Sequence, residues 1–196
     1  DALSDTAARA DYGLALFMTG QAEAAAAVLQ AVCTEGDAGF EAFMRLGALE
    51  VTRENLDDAA EAFEAARQRA PHKAEIVSNL GGVKLRLGAY QDAVELYDQA
   101  LALNPELPQP RQMRAKALLQ LDRADEMIDE AQQALDRAPD QPMRHLHLAT
   151  VQMQAEHWAQ AEATLNAAID RFPERDDVKR ALVNLLQQEK ATNRLG

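Results

Sequence analysis

The chain has 196 residues, of which 47% are hydrophobic and only 5% aromatic, with 9 Gly and 7 Pro. That profile suits many short helices packed through small side chains and argues against a sheet protein. The formal net charge is −12, from 32 acidic and 20 basic residues, which argues against a nucleic-acid partner and against anionic membrane surfaces.

Apolar spacing predicts eleven helices in chain order. The first four fall near 6–18, 21–34, 40–52 and 56–70. The next pair, near 74–87 and 90–103, is the clearest. Tyr90, Val94, Tyr97 and Leu101 recur there at helical spacing, and Gly88 breaks the chain between the two helices. Helices near 108–121, 124–137, 142–155 and 158–171 follow. An eleventh, near 176–190, carries Val178, Leu182, Leu185 and Leu186 on one side. Its other side holds Lys179, Asn184, Gln187 and Gln188, the form of a helix that covers the open apolar end of a stack.

These helices repeat in pairs. Pro71, Pro105, Pro139 and Pro173 are each 34 residues apart, and the same step backwards reaches Asp37, where the proline is missing. Gly13, Gly47 and Gly81 continue as Ala115 and Ala149. Ala25, Ala59 and Ala93 continue as Met127 and Ala161, and Leu29, Phe63 and Tyr97 as Ala131 and Leu165. Five gapless units tile the chain at 6–39, 40–73, 74–107, 108–141 and 142–175, with a capping helix at 176–190, in one domain spanning 1–196. Gly or Ala where two helices of a unit cross lets the backbones approach, and the larger residues are expected to fill the layer between units. Proline ends each second helix, since it lacks the N–H and disfavours helix in the residue before it. The fourth unit departs most, with Arg114 in a leucine column, Met127 in an alanine column and Ala131 in the large-residue column. It is expected to pack least well.

The 34-residue period, the small-residue columns, Tyr90 and the closing prolines resemble the tetratricopeptide repeat. The resemblance covers about nine-tenths of the chain. It implies an all-α fold: a right-handed α-solenoid, or superhelix, of helix-turn-helix repeats whose first helices line a concave face. It also implies a non-catalytic scaffold or adaptor that binds a peptide or partner protein in that groove. The inward positions implied for it include Met18, Met44, Arg45, Asn79, Arg86, Met113, Lys116, Met143, His147 and Met153. Five of the six methionines fall on inward positions, and flexible, polarizable side chains adapt to varied apolar ligands. The rival reading has them filling gaps between adjacent first helices. Asp11, Glu41 and Glu75 balance Arg45, Arg86 and Lys116 on this face, so the acid excess belongs mainly to the outer helices and loops. A groove of mixed polarity would take an amphipathic or extended peptide with some acidic character. The carboxylate clamp of chaperone-tail binders is not expected. Its matching positions hold Met44, Ala48, Asn79, Gln109 and Met113, and only Asn79 fits.

No cofactor, metal or catalytic residue is expected. His145 and His147 are two apart on a helix and point to different faces, whereas helical metal pairs need three- or four-residue spacing. His72 and His157 read as solvated. The acidic groups near 54–61 and 125–130 lack calcium-loop spacing and sit at starts of second helices, where the helix dipole favours them. Cys33, the one cysteine, excludes an internal disulfide and reads as a small buried apolar residue. Trp158 reads as packing. No apolar run approaches the ~20 residues of a membrane span, and no secretory signal is visible. The chain does not begin with Met, so a segment of a longer protein or a processed product is expected, with any targeting element outside it. The compartment, cytoplasmic or periplasmic, stays open. The alanine-rich composition is bacterial in style. Two alternatives stand beside the scaffold: the recruiting region of a larger enzyme or of a secretion or assembly machine, and a self-assembling homo-oligomer.

Overall fold

A computed structural model describes residues 5–35 and 38–192. Asp37, the position of the missing proline, lies outside them. The described residues form eleven α-helices and no strand. In order they are α1 Thr6–Met18, α2 Ala22–Cys33, α3 Phe40–Thr52, α4 Leu56–Arg69, α5 Ala74–Arg86 and α6 Tyr90–Leu103. They continue with α7 Pro108–Gln120, α8 Ala124–Arg137, α9 Pro142–Gln154, α10 Trp158–Arg171 and α11 Asp176–Thr192. The chain separates into two compact units, Asp1–Gln120 with α1–α7 and Leu121–Gly196 with α8–α11.

The turn inside each pair is set by backbone chemistry at a fixed register. Gly20, Glu54, Gly88, Asp122 and Glu156 all have positive φ, between 55° and 81°, and lie 34 residues apart. The residue after four of them donates its N–H back to a carbonyl five residues earlier. These bonds are Gln21 to Leu16 and Asn55 to Glu50, both 2.9 Å, Ala89 to Lys84, 3.0 Å, and His157 to Gln152, 2.8 Å. A left-handed residue that lets the chain close such a bond caps the orphan carbonyls at a helix end. Second helices stop differently. Ala70, Asn104, Ala138 and Phe172 have φ between −129° and −146°, and each directly precedes a proline.

The small-residue columns are where first and second helices meet. A Cβ on Gly13 would lie 2.8 Å from Leu29 Cγ, one on Gly47 2.8 Å from the Phe63 ring, and one on Gly81 3.0 Å from the Tyr97 ring. The large-residue column therefore fills the crossing within its own pair, and not only the layer between pairs as its size suggests. Phe63 does both, since it also packs with Val77 and Leu80 of the next pair.

In the first unit, Ala10, Leu16, Ala25, Leu29 and Val32 form one core with Leu49. Phe43, Ala66 and Ile76 form another. A third runs from Ala59 and Phe63 to Leu80, Leu96 and Ala100. In the second unit, Ala149, Ala161, Leu165 and Ala168 pack against Val178 and Leu185 of α11. Lys179, Asn184, Gln187 and Gln188 are exposed, so α11 covers the last helix pair with its apolar side and meets water with the other.

Candidate partner-binding face

In the first unit the proposed binding positions lie on α1, α3, α5 and α7. Two of their cations are spent on neighbours. Arg45 on α3 reaches Asp11 on α1 at 2.5 Å. Arg86 at the end of α5 donates to the Val51 carbonyl at 3.2 Å and pairs with Glu54. These are surface contacts between neighbouring helices, where ion pairs contribute little to stability. Asn79 is half-buried and Lys116 is exposed. Met44 is half-buried and packs against two cores, those of Phe43 and of Phe63, while Met113 is half-buried. Met18, at the end of α1, is 79% exposed.

In the second unit, Met143 on α9 is 62% exposed and His147 is exposed. Met153 is half-buried and packs against the α9–α11 core. The methionines thus divide: Met44 and Met153 fill space beside cores, whereas Met18 and Met143 stand in solvent.

Charge is sorted by helix. The second helices α2, α4, α6, α8 and α10 hold fifteen acidic and four basic residues. The first helices α1, α3, α5, α7 and α9 hold four acidic and eight basic residues. The acid excess lies mainly on the second helices. It is the first-helix side that can accept anionic groups, by simple electrostatics.

Reactive groups are held structurally. The His145 ring is buried, with Nε2 3.0 Å from the Pro139 carbonyl and an edge-on contact with Phe172 at 5.6 Å, while His147 lies on the solvent side. A carbonyl only accepts, so Nε2 carries the proton. Burial pushes the Cys33 thiol up to about 11 against the opposing pull of Arg69, which leaves it a poor nucleophile. Trp158 packs against the α9–α11 core. Among the described residues no group of three or more His, Cys, Asp or Glu side chains is placed to hold a metal. No described helix is long and apolar enough to cross a membrane.

Three features escape a reading of the sequence. Glu50 is 1% exposed, and its carboxylate takes bonds from Arg53 at 3.0 and 3.1 Å and Asn55 at 2.8 Å, stapling the α3–α4 turn. Its column holds Leu16, Lys84, Leu118 and Gln152, so no periodic signal marks it. The left-handed column does carry a signal, its 34-residue spacing, hidden because only Gly20 and Gly88 of its members are glycine. The third is Tyr97, 1% exposed, whose hydroxyl has no hydrogen-bond partner.

Residues 44–108 match a family described as tetratricopeptide repeat. Over that stretch the chain carries tetratricopeptide repeats. Solved structures with the same fold include MamA AMB-1, which is 26% identical over 91% of this chain and 97% of its own, with a TM-score of 0.62. YrrB, described as a tetratricopeptide-repeat protein with an unusual peptide-binding site, is 19% identical over 90% of this chain and 91% of its own, with a TM-score of 0.63. A tetratricopeptide-repeat protein from Parabacteroides merdae is 17% identical over 95% of this chain and 75% of its own, with a TM-score of 0.67. No curated protein matches in sequence. Tetratricopeptide-repeat proteins are generally non-catalytic scaffolds for protein interaction.

Proposed function

We propose that this protein is a non-catalytic interaction scaffold that holds a peptide or partner protein against its first helices, with Met18, Met44, Arg45, Asn79, Arg86, Met113 and Lys116 as its binding positions in the first unit and Met143, His147 and Met153 in the second. The carrying observation is the sorting of charge: first helices hold a basic excess while second helices hold fifteen acidic residues against four basic ones. A segment with carboxylates beside apolar anchors meets its complement on the first-helix side alone. Each fully buried apolar anchor contributes ~1.5–3 kcal/mol.

The test uses exposed positions. Met44 packs against two cores, so a charge there would unfold the protein as well as block binding. Arg86→Glu with Lys116→Glu changes two exposed side chains. Affinity capture with the wild-type chain and with this double variant, each checked for an intact thermal transition, reads the partner set. Loss of partners by a folded variant supports the first-helix face, and an unchanged set rejects it.

A further inference from the structure

A second surface lies along α4 of the first unit. Two depressions of about 450 and 490 Å³ run along α4, and both are lined by Glu64 and Gln68. The first lies between α4 and α6 over Val77 of α5, the second between α4 and α5, and they meet at Glu64 and Gln68 to make one channel. Val77 and Leu80 of α5 lie at its base, only 2% and 3% exposed. Ala102 and Leu103 of α6 open into it, and Leu103 is 45% exposed. Along α4 the channel runs from Ala60 to Pro71, roughly 16 Å at the ~1.5 Å rise of a helix.

Helical spacing gives the banks their charge. Glu61, Glu64 and Gln68 continue backwards to Asp57, and Gln99 and Ala102 continue backwards to Asp92 and Glu95. Glu64 is neutralised by Arg67 at 2.8 Å. Asp57, Glu61, Asp92 and Glu95 remain at the end where both helices begin, against the single ammonium of Lys84. The channel is thus apolar and amide-rimmed at one end and anionic at the other.

We propose that this channel docks an amphipathic helix of a partner protein, one that carries lysine or arginine beside a stripe of leucine-sized side chains. The channel's length suits about three helical turns. Apolar anchors at helical spacing would seat against the exposed Ala102 and Leu103 above the buried Val77 and Leu80, and flanking cations would reach the carboxylates of α4 and α6. This occupant differs in sign from the acidic segment proposed for the first helices, so the two surfaces select different partners.

Three fluorescein-labelled 14-residue peptides test it on the full chain by anisotropy. The first has a leucine stripe at helical spacing with lysine flanks. The second keeps the stripe but carries glutamate flanks. The third keeps the lysines and replaces leucine with serine. The first peptide is expected to bind at least ten-fold more tightly than either control. Leu103→Asp, Ala102→Arg and the pair Glu61→Lys with Glu95→Lys, each verified as folded by thermal melting, should each weaken it ten-fold or more. Arg86→Glu with Lys116→Glu should leave it unchanged. Equal binding of the serine peptide, no binding of the first peptide, or binding indifferent to all channel variants overturns the proposal. Loss only in the first-helix variant overturns it too, and leaves the proposed function standing.

Discussion

At Tyr97 a phenol hydroxyl sits in the core without a partner, its pKa pushed up to about 12 by burial. A buried polar group left unpaired costs about 1–3 kcal/mol, so removing it should relieve the fold. Tyr97→Phe is therefore expected to hold or raise the denaturant midpoint, by up to about 1 kcal/mol in unfolding free energy. A fall of that size would show that the hydroxyl is satisfied by water. The ring itself is needed, because it fills the space that Gly81 leaves. Gly47→Ala, which sets a methyl 2.8 Å from the Phe63 ring, should cost ~1–3 kcal/mol in the same measurement. The pairing of Gly13 with Leu29, Gly47 with Phe63 and Gly81 with Tyr97 was half legible. The columns stand out in the sequence, but periodicity reports only which positions are alike. It does not report which column faces which, and that depends on how the two helices cross.

Helix bounds were legible almost throughout, because proline and the apolar spacing act locally. The exceptions are helix ends such as Arg69 and Arg86, one residue short of expectation. What ends the first helices is a left-handed residue, and at Glu54, Asp122 and Glu156 the chain places a side chain where glycine is easiest. Glu156→Gly should stabilise the α9–α10 turn by up to about 1 kcal/mol, read from thermal or denaturant unfolding; destabilisation would mean that the carboxylate has a role beyond the turn. At the start of α11 a different device operates. Arg175 donates to both oxygens of Asp177, at 2.9 and 2.6 Å, and holds its carboxyl down at about 2. A depressed carboxyl stabilises the fold above its unfolded pKa of about 4 and loses that contribution as pH falls through about 2. The difference in melting temperature between the wild type and Asp177→Asn should be constant above about pH 5 and close by about pH 2. A difference that persists at low pH would rule out the ion pair as its source.

Across the whole molecule, the fourth sequence repeat spans a division that its neighbours do not. Its helices, α7 and α8, fall in different compact units. Sequence departures foreshadow this. Arg114 occupies a leucine position and spends its charge on Asp98 of α6, at 2.6 Å, while Ala131 stands where Leu29, Phe63 and Tyr97 stand in other pairs. The consequence is a difference in local burial. α6 buries Ala93, Val94, Leu96, Tyr97 and Ala100, whereas α8 buries Met127, Ala131 and Leu135. Amides open more readily where less apolar surface must be exposed. Hydrogen exchange followed by mass spectrometry should therefore find residues 124–137 exchanging well before residues 90–103, with 56–69 and 74–86 among the slowest. Slowest exchange in 124–137 would contradict the reading, and so would uniform protection of all eleven helices. The composition of the binding faces was far less legible than this gradient. Exposed side chains such as Lys116 are left unconstrained by the repeat, and the channel beside α4 is made by helices that the sequence specifies only through their other, buried sides.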